Sequence, residues 1–384
     1  MSEWKKVKLG KLYDVHNGLS KGREFFGTGY PFLTFSNVFN NRFVPSELES
    51  LVQTSEKERE ACSIKAGDVF ITRTSETMDE LGMSSVALKD YPNATYNGFT
   101  KRLRPTTDKV DPKYIGYYLR SPRFRGKFMA FSTMTTRASL ANDDLLSMEV
   151  ELPEKDEQIR IATVLYRYDS LIENYQKQIK LLEEAAQRLY KEWFVDLRFP
   201  GYEKVKVVDG VPEGWERKKL GELVPIITGK KDANFGTQDG EYPFFTCSQE
   251  PIKAPSFSFD CAAVLLAGNG DFNVKLYRGK FEAYQRTYVL SPYSNRYLYL
   301  LYYTISANMT KLAAGSSGST IKFLTKGMID SVNVNLPVKE VLDSFNKKVE
   351  PIQSSIESIQ FQLRLLTESR DRLLVKLMSG EIEV

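Results

Sequence analysis

The apolar positions of residues 157–193 are separated by alternating steps of four and three residues. Steps of this kind average 3.5 residues and keep one seam of a long helix facing a partner helix. The seam positions are Ile161, Leu165, Tyr168, Ile172, Tyr175, Ile179, Leu182, Ala186, Leu189 and Trp193. Because about 37 residues rise ~1.5 Å each, the pattern predicts a helix of roughly 55 Å that needs a partner.

A second stretch of the chain repeats this seam 184 residues later. The matching positions are Phe345, Val349, Ile352, Ile356, Ile359, Leu363, Leu366, Arg370, Leu373 and Leu377, and only Arg370 is not apolar. A Leu-Pro pair precedes each stretch at the same offset, at Leu152 and Leu336. Two unrelated amphipathic helices remain the alternative, but the shared register favours two helices that pack on each other within one chain.

Pro351 interrupts the pattern of the second helix. Proline lacks the N–H that an internal helix bond requires. We therefore expect either a kink at Pro351 or a helix that begins near it.

The segments before the two helices are also related to each other. Residues 4–12 (WKKVKLGKL) match residues 215–223 (WERKKLGEL) at an offset of 211, which Gly18 and Gly229 keep. Residues 30–36 (YPFLTFS) match residues 242–248 (YPFFTCS) at an offset of 212. Repetition on this scale indicates duplication of a whole domain. The offset falls from 211 to 184, so the first copy is 27 residues longer, with the extra length expected mainly between Thr34 and Gly67 and partly near Glu76.

The sequence of each copy predicts mainly short strands. Residues 68–72 and 263–266 are typical of buried strands, and residues 148–153 and 332–337 alternate as half-exposed strands do before a proline. The aromatic-rich residues 114–119 and 297–303 favour helix by their spacing, with strand as the alternative.

The resulting prediction is an α+β fold. Two duplicated domains are joined by two long antiparallel coiled-coil helices with pseudo-two-fold symmetry. The predicted ranges are 1–154 for the first domain, 155–198 for the central helix, 199–337 for the linker and second domain, and 338–384 for the C-terminal helix.

The composition limits the possible classes of protein but does not assign a function. The chain has 384 residues, 42% of them hydrophobic, and a net charge of +4, which is compatible with nucleic acid without indicating it. Three cysteines without metal-ligand spacing favour a reduced compartment. No apolar run approaches the ~20 residues that span a bilayer, and the N-terminus does not resemble a signal peptide. These features predict a cytoplasmic protein without a membrane partner.

The residues expected at common catalytic sites are missing from the sequence. The single histidine, His16, excludes the usual Ser–His and Cys–His catalytic pairs, and no P-loop motif occurs. Residues 267–271 (AGNGD) lack the third glycine of a dinucleotide fingerprint. The tetrapeptide that amino-methyltransferases use at the target amine is also absent. The sequence therefore predicts no catalytic residue, no metal site and no cofactor of its own.

Polar and basic residues cluster in the loops of both domains. Arginine can bind guanine, asparagine can bind adenine, and lysine, serine and threonine commonly hold phosphate. The candidate DNA-binding residues are Thr34, Ser36, Asn37, Arg73, Thr74, Lys101, Arg102, Arg137 and Ser139 in the first domain, and Lys230, Lys231, Thr246, Ser248, Asn269, Arg286, Ser319 and Lys322 in the second. A further basic run, Arg120, Arg123, Arg125 and Lys127, either follows phosphates or faces water.

In this combination the chain resembles the specificity subunit of type I restriction–modification enzymes. The likeness rests on the duplicated WKKVKLGKL and WERKKLGEL segments, residues 67–73 (GDVFITR), the Leu-Pro pairs, and residues 178–182 (QIKLL) and 362–366 (QLRLL). The resemblance implies two target-recognition domains, each reading one half of a split DNA sequence, and a helix pair that spaces them. It also implies modification (methyltransferase) and restriction subunits as partners, with S-adenosylmethionine, ATP and Mg²⁺ bound on those partners.

Two functions from other classes remain open at this stage. One is a coiled-coil scaffold that binds only partner proteins, and the other is an enzyme with an unrecognised site. Specific retention of duplex DNA from a random pool would favour DNA recognition over both.

Overall fold

The computed structural model describes residues 4–75, 81–131, 138–139, 141–316, 318 and 322–384. They form two compact units. The first unit comprises Met1–Gln176 and Gln362–Val384, and the second comprises Lys177–Phe361. Among the described residues, no helix is long and apolar enough to cross a membrane.

The first unit is built from short strands and short helices followed by one long helix. Its strands are β1 (Lys5–Lys8), β2 (Tyr13–Asn17), β3 (Phe26–Leu33), β4 (Leu51–Val52), β5 (Val69–Thr72), β6 (Thr74–Ser75), β7 (Ser84–Val86), β8 (Thr95–Tyr96), β9 (Thr100–Pro105), β10 (Ala138–Ser139) and β11 (Glu149–Leu152). Its short helices are α1 (Phe35–Asn40), α2 (Glu56–Ala61), α3 (Pro112–Tyr118), α4 (Pro122–Phe131) and α5 (Asn142–Ser147). The long helix α6 (Lys155–Tyr190) begins in this unit and ends in the second, where a π-helical turn (Lys191–Val195) follows it.

The second unit repeats this plan with fewer elements. Its strands are β12 (Val207–Val208), β13 (Val211–Pro212), β14 (Glu216–Lys219), β15 (Ile226–Thr228), β16 (Tyr242–Phe245), β17 (Ile252–Ala254), β18 (Phe259–Ala267), β19 (Val274–Ala283), β20 (Thr287–Leu290) and β21 (Asn333–Leu336). Its helices are α7 (Leu220–Leu223), α8 (Leu298–Ala314), α9 (Lys326–Asp330) and the start of α10 (Lys339–Ser379). The aromatic-rich segments with two possible interpretations are thus helical, in α3 and α8.

The duplication is visible in the register of the strands. Lys5 pairs with Leu152 in the antiparallel pair β1 and β11, and Glu216 pairs with Leu336 in β14 and β21. The offsets of 211 and 184 are those read from the sequence. In each domain, therefore, the strand of the repeated segment WKKVKLGKL or WERKKLGEL pairs with the strand that precedes a long helix.

The main sheets also correspond. The first unit has a four-stranded sheet in the order β2-β9-β5-β7 and a three-stranded sheet in the order β4-β3-β8. The second unit joins the equivalent strands into one sheet in the order β15-β20-β18-β19-β16-β17. The single strand β19 pairs with both β18 and β16, whereas β7 and β8 divide these roles in the first unit.

The extra length of the first copy lies largely where the sequence predicted it. Val69 and Val264 hold equivalent places in their sheets, since each pairs with a leucine of the next strand, at Leu103 and Leu290. The offset falls from 212 at Thr34 to 195 at Val69. Helices α1 and α2 occupy this interval in the first unit, and the second unit has no helix between β16 and β18.

The helix α10 continues through Pro351 without interruption. It begins at Lys339, so the expectation of a start near Pro351 is wrong. Ser355 Oγ donates a hydrogen bond to Pro351 O (2.8 Å). Pro351 is exposed, and its ring is therefore accommodated on the solvent side of the helix.

The seam positions of both long helices are buried or half-buried throughout. Apolar residues outside the seam behave differently: Leu181 is 64% exposed and Phe361 is 53% exposed. In the first unit, Ile161 and Leu165 of α6 share an apolar cluster with Leu374 and Leu377 near the end of α10.

In the second unit the opposite ends of these helices pack together. Ala186 and Trp193 share a cluster with Phe345 and Val349 near the start of α10. Each unit thus contains an antiparallel contact between the two helices. The predicted α+β class with a duplicated domain and long helices is confirmed.

Candidate nucleic-acid interface

Five loops of the second unit meet at one end of its large sheet. Backbone hydrogen bonds join them in sequence: Gln285 N to Lys231 O (2.9 Å), Tyr284 N to Phe245 O (3.0 Å), Gly268 N to Arg286 O (2.8 Å) and Leu324 N to Gly268 O (2.8 Å). We call the resulting set of residues 229–231, 246–248, 268–269, 284–287 and 322–324 the second loop cluster. It contains all the candidate DNA-binding residues of the second unit that the structure describes.

The first unit has an equivalent cluster. Gly98 N donates to Leu19 O (2.8 Å), Asn97 N to Leu33 O (3.0 Å) and Arg73 N to Phe99 O (3.0 Å). The backbone of Ser139 pairs with that of Thr74. We call residues 18–20, 34–37, 73–75, 97–101 and 138–139 the first loop cluster.

Glycine permits the closest approach of these loops in both clusters. A Cβ on Gly18 would lie 2.1 Å from Asn97 O, and a Cβ on Gly229 would lie 1.9 Å from Ala283 O. Contacts this short would push the loops apart, so both positions exclude a side chain. The repetition of Gly18 as Gly229, noted in the sequence, therefore has a structural cause.

Several candidate residues of the second cluster present their polar groups to solvent. Lys230, Arg286 and Lys322 are exposed. Lys231 is half-buried, with Nζ 4.3 Å from the centre of the Phe235 ring. These side chains make the second cluster a cationic surface that can hold phosphate or a base edge.

A cleft of about 300 Å³ opens in the second cluster. Thr228, Gly268, Gln285, Arg286, Tyr288 and Leu324 line it. Arg286 is near enough to Tyr288 for its charge to oppose the effect of burial, which raises the pKa of the Tyr288 hydroxyl. The cleft thus combines a cation with hydroxyl and amide groups and lacks a carboxylate.

Other candidates of the second cluster are engaged within their own loop. Thr246 Oγ1 and Ser248 Oγ lie 2.7 Å apart, and Ser248 Oγ donates to Glu250 O (2.8 Å). Asn269 is half-buried, and its backbone forms an isolated bridge with Phe323. The hydroxyls of Thr246 and Ser248 are thus less available to a ligand than the exposed lysines and Arg286.

Two candidates of the first cluster cap a helix. Thr34 Oγ1 accepts from Asn37 N (3.1 Å), and Asn37 Oδ1 accepts from Thr34 N (3.1 Å), which completes a capping box for α1. Ser36 is exposed on the first turn of this helix. Of these three residues, Ser36 is the most available to a ligand.

Lys101 and Arg102 are both only 4% exposed. Arg102 Nη1 donates to Ser63 O (2.8 Å) and Ala61 O (3.3 Å), so its guanidinium supports the α2 region. The prediction that Arg102 contacts DNA is therefore withdrawn, because its side chain is enclosed by protein.

Lys101 Nζ donates a hydrogen bond to Asn142 Oδ1. Burial, and then the charge of Arg73, lower the pKa of Lys101. The carboxylates of Asp143 and Asp144 act on this ammonium group in the opposite direction to Arg73. Arg73 and Lys101 are the two basic residues of the first loop cluster.

The basic run spans the turn between α3 and α4 and the start of α4. Arg120, in the turn, donates to the carbonyls of Ser84, Val38, Phe39 and Asn41 at 2.6–3.1 Å, and burial lowers its pKa to about 10. Arg125 Nη1 donates to Leu81 O (2.6 Å). The interpretation of the run as a phosphate track is wrong for Arg120, because its guanidinium is enclosed by backbone carbonyls.

Arg123 and Lys127 both pair with Glu151. Arg123 Nη2 lies 2.5 Å from Glu151 Oε2, and Lys127 Nζ lies 2.6 Å from Glu151 Oε1. Burial raises the pKa of Glu151, but the hydrogen bonds and charges of Lys127 and Arg123 outweigh it and hold the pKa below its usual range.

The side chains of four predicted residues are not described. Arg137 and Ser319 lie outside the described residues, and only the backbone is described at Thr74 and Ser139. In the described part of the chain, no three His, Cys, Asp or Glu side chains are grouped in a way that could hold a metal ion.

Phe99 was missed by the sequence reasoning. Its ring is 59% exposed within the first loop cluster. Polarity and basic charge in a loop, the features that mark the other candidates, do not distinguish an aromatic residue. Leu103 and Leu290 hold equivalent places in their sheets, so the offset between the two copies is 187 in this region. This offset aligns Phe99 with the candidate Arg286.

A family model described as the type I restriction modification DNA specificity domain matches residues 1–184 and 212–373. The Escherichia coli type I restriction enzyme EcoDI specificity subunit is 40% identical over 179 residues, which cover 45% of this chain and 39% of that protein. The Methanocaldococcus jannaschii type I restriction enzyme MjaIX specificity subunit is 25% identical over 100% of this chain and 94% of its own length.

A solved structure is similar over nearly the whole chain. The S subunit of a type I restriction–modification system from M. genitalium superimposes with a TM-score of 0.62 at 16% identity, covering 97% of this chain and 96% of its own. This similarity concerns the fold.

Proposed function

Because the chain belongs to the family of type I restriction–modification DNA specificity proteins, we propose that it is the DNA-recognition subunit of such a complex and reads a target in two separate halves. Each unit reads one half-site through its loop cluster. The long helices fix the number of unread base pairs between the halves.

The observation that carries this proposal is the repetition of one loop cluster on two copies of one fold. The same hydrogen bonds hold the two clusters, and the exposed side chains on them differ. Two readers with one geometry and different side chains suit a target whose halves differ in sequence.

The clusters supply suitable chemistry for contact with a duplex. Exposed Lys230 and Lys322 can neutralise phosphates, which contributes affinity that does not depend on sequence. Arg286 can donate two hydrogen bonds to the major-groove edge of guanine. Positioning and base recognition are then divided among neighbouring loops.

We further propose that the chain carries out no reaction itself. Modification subunits that bind S-adenosylmethionine, and restriction subunits that use ATP and Mg²⁺, would assemble on it and supply the chemistry. A radiolabelled methyl-transfer assay with the chain alone is expected to stay at background. Robust transfer without other subunits would contradict an adaptor role.

Methylome sequencing of cells with and without the gene tests the proposal directly. We expect one bipartite methylated motif to disappear when the gene is removed and to return when it is restored. If no motif depends on the gene, and the purified chain with its copurifying partners retains no specific duplex from a random pool, the scaffold that binds only proteins becomes the better explanation.

A further inference from the structure

The turn before β9 and the turn before β20 have the same framework of backbone hydrogen bonds. In the first unit, Asn97 N, Gly98 N and Thr100 N donate to Leu33 O (3.0 Å), Leu19 O (2.8 Å) and Asn97 O (3.0 Å). In the second unit, Tyr284 N, Gln285 N and Thr287 N donate to Phe245 O (3.0 Å), Lys231 O (2.9 Å) and Tyr284 O (2.8 Å). The turns of residues 97–100 and 284–287 therefore correspond residue by residue.

A fourth bond fixes the third residue of each turn. Phe99 O accepts from Arg73 N (3.0 Å), and Arg286 O accepts from Gly268 N (2.8 Å). Phe99 and Arg286 thus occupy one structural position in the two copies. Both side chains are exposed, the Phe99 ring to 59%.

The first turn holds Phe99 outward by further contacts. Asn97 Oδ1 accepts from Phe99 N (2.7 Å), and Thr100 Oγ1 donates to Asn97 O (2.7 Å). A Cβ on Gly98 would lie 2.4 Å from Ser20 Oγ, so the turn is packed against the loop beside it. These hydrogen bonds hold the backbone of the turn in one conformation before a ligand binds. Binding at the exposed ring therefore costs little backbone entropy.

Phe99 lies next to polar and charged neighbours in the first loop cluster. Arg73 N donates to the carbonyl of Phe99, and the charges that act on the nearby Lys101 ammonium are those of Arg73 and of the Asp143 and Asp144 carboxylates. The exposed ring is the large apolar group of this cluster and suits an apolar group at the base edges of a duplex. The thymine C5-methyl is the apolar group that the major groove displays.

We propose that Phe99 and Arg286 are corresponding specificity residues that read different chemistry. Phe99 contacts the methyl group of a thymine in the half-site of the first unit. Arg286 binds O6 and N7 of a guanine in the half-site of the second unit. The inference rests on the proposed function. It adds one residue in each unit that contacts a base and the group of that base that the residue contacts.

Methylomes of cells carrying variants in place of the wild-type gene test this assignment. Phe99→Ala should relax one A·T position in one half-site and leave the other half-site unchanged. Arg286→Ala should relax one G·C position in the other half. Tyr293→Ala is the matched control: Tyr293 is 76% exposed and follows the far end of β20 from Arg286, so its motif should equal that of the wild type.

Modified duplexes of the identified motif give a second readout with the purified complex. Deoxyuridine removes only the thymine methyl and should weaken wild-type retention about fourfold, the effect expected for one buried carbon, and should not affect Phe99→Ala. 7-Deazaguanine removes N7 and should weaken the wild type by about fivefold or more, and should not affect Arg286→Ala.

The outcomes separate this inference from the proposed function. If the wild-type gene directs no motif, the proposed function itself fails. The inference alone is overturned if the wild-type motif lacks a thymine in the first half-site, or if Phe99→Ala leaves the motif and its deoxyuridine sensitivity unchanged.

The Phe99→Leu variant, which keeps an apolar group, guards against a folding defect. It is expected to keep the wild-type motif. If Phe99→Ala and Phe99→Leu both abolish methylation while accumulating as the wild type does, Phe99 contributes to the complex as a whole, for example by binding a partner protein, and the single-base assignment is overturned.

Discussion

Arg370 Nη1 on α10 lies 2.9 Å from Asp169 Oδ1 on α6. Arg42 Nη1 lies 2.7 Å from the other oxygen of this carboxylate, and Tyr117 Oη donates to the same oxygen (2.7 Å). The one seam position of α10 that is not apolar is therefore filled by a residue with a specific partner. Burial and the Asp169 charge raise the pKa of Tyr117, so it remains a neutral donor.

The second unit has a neutral counterpart to this ionic group. Gln353 follows Asp169 by the repeat offset of 184, and its Nε2 donates to the hydroxyl of buried Tyr303. A single polar group in an apolar seam can specify register, because shifted pairings leave it unpaired. We hypothesise that the contacts of Asp169 with Arg370, Arg42 and Tyr117 fix the register of α6 and α10 in the first unit.

Replacing Asp169 by Ala should destabilise the first unit. The change leaves the guanidinium groups of Arg42 and Arg370, each less than a fifth exposed, without their shared carboxylate. We expect a loss of about 2–3 kcal/mol in unfolding free energy, measured by denaturant titration. Asp371→Ala removes the other, 56% exposed partner of Arg370 and should change stability by less than 1 kcal/mol. Equal effects of the two variants would contradict this prediction.

The Glu151 ion pairs should make stability depend on acid pH. The folded pKa of Glu151 is lowered, so its contribution is present above the unfolded value of about 4.3 and is lost as pH falls through the folded pKa. Glu151→Gln should cost about 1 kcal/mol at pH 7, a value reduced because Arg123 and Lys127 are more than a third exposed. The difference in melting temperature between the wild type and Glu151→Gln should shrink from pH 7 to pH 3. A constant difference would contradict this prediction.

An acidic residue in the helix seam should be disruptive only at a seam position. Ile179 is half-buried in the seam, and Leu181, two residues further on, is 64% exposed. Ile179→Asp should lower the unfolding free energy by about 2 kcal/mol or more and weaken partner assembly, because the charge loses water. Leu181→Asp adds the same charge and should melt like the parent. Thermal melts and co-purification with partner subunits measure both effects.

The salt dependence of duplex binding should distinguish loop cations from structural ones. Lys230→Ala and Lys322→Ala should each reduce the slope of log K against log salt by about 1, because each removes one phosphate contact. Arg123→Ala should leave the slope unchanged, since Arg123 pairs with Glu151. Titrations at several salt concentrations give the slopes. A reduced slope for Arg123→Ala would return the α4 run to the interface.

Domain exchange and helix insertion should act on different parts of the target. Exchanging residues 1–154 for the equivalent domain of a relative should change one half-site only. Inserting four residues, about 6 Å of helix, at matching positions of α6 and α10 should lengthen the spacer by roughly two base pairs at ~3.4 Å each. Methylome sequencing reads both results. An exchange that altered both half-sites would refute separate readers.

The architecture was accessible from sequence because it rests on periodicity and repetition. The 3.5-residue seam predicted α6 and most of α10, and the repeated segments at offsets 211 and 184 predicted that the two domains share one plan. The pairing of β1 with β11 and of β14 with β21 is visible only in the structure. Of the two alternatives at Pro351, a kink or a helix start, the structure contradicts the start, because α10 begins at Lys339 and Pro351 is exposed outside the seam.

The candidate site was accessible only in part. Loop position selected Lys230, Arg286 and Lys322, which the structure brings into one cluster, and their contact with DNA stays a prediction. It could not show that Arg102 and Arg120 donate their hydrogen bonds to backbone carbonyls. Such partners come from distant segments and have no local signature. Phe99 was overlooked because exposure of an aromatic ring is a tertiary property.

The backbone framework shared by residues 97–100 and 284–287 bears on how such a protein can evolve. Its four matched bonds join main-chain atoms, so none requires a particular side chain at position 99 or 286. If Phe99 and Arg286 contact bases as proposed, a single codon change at either position alters the recognised base and leaves the fold of the domain in place. New specificities of this chain could therefore arise by point mutation within an existing gene, without the exchange of a whole domain.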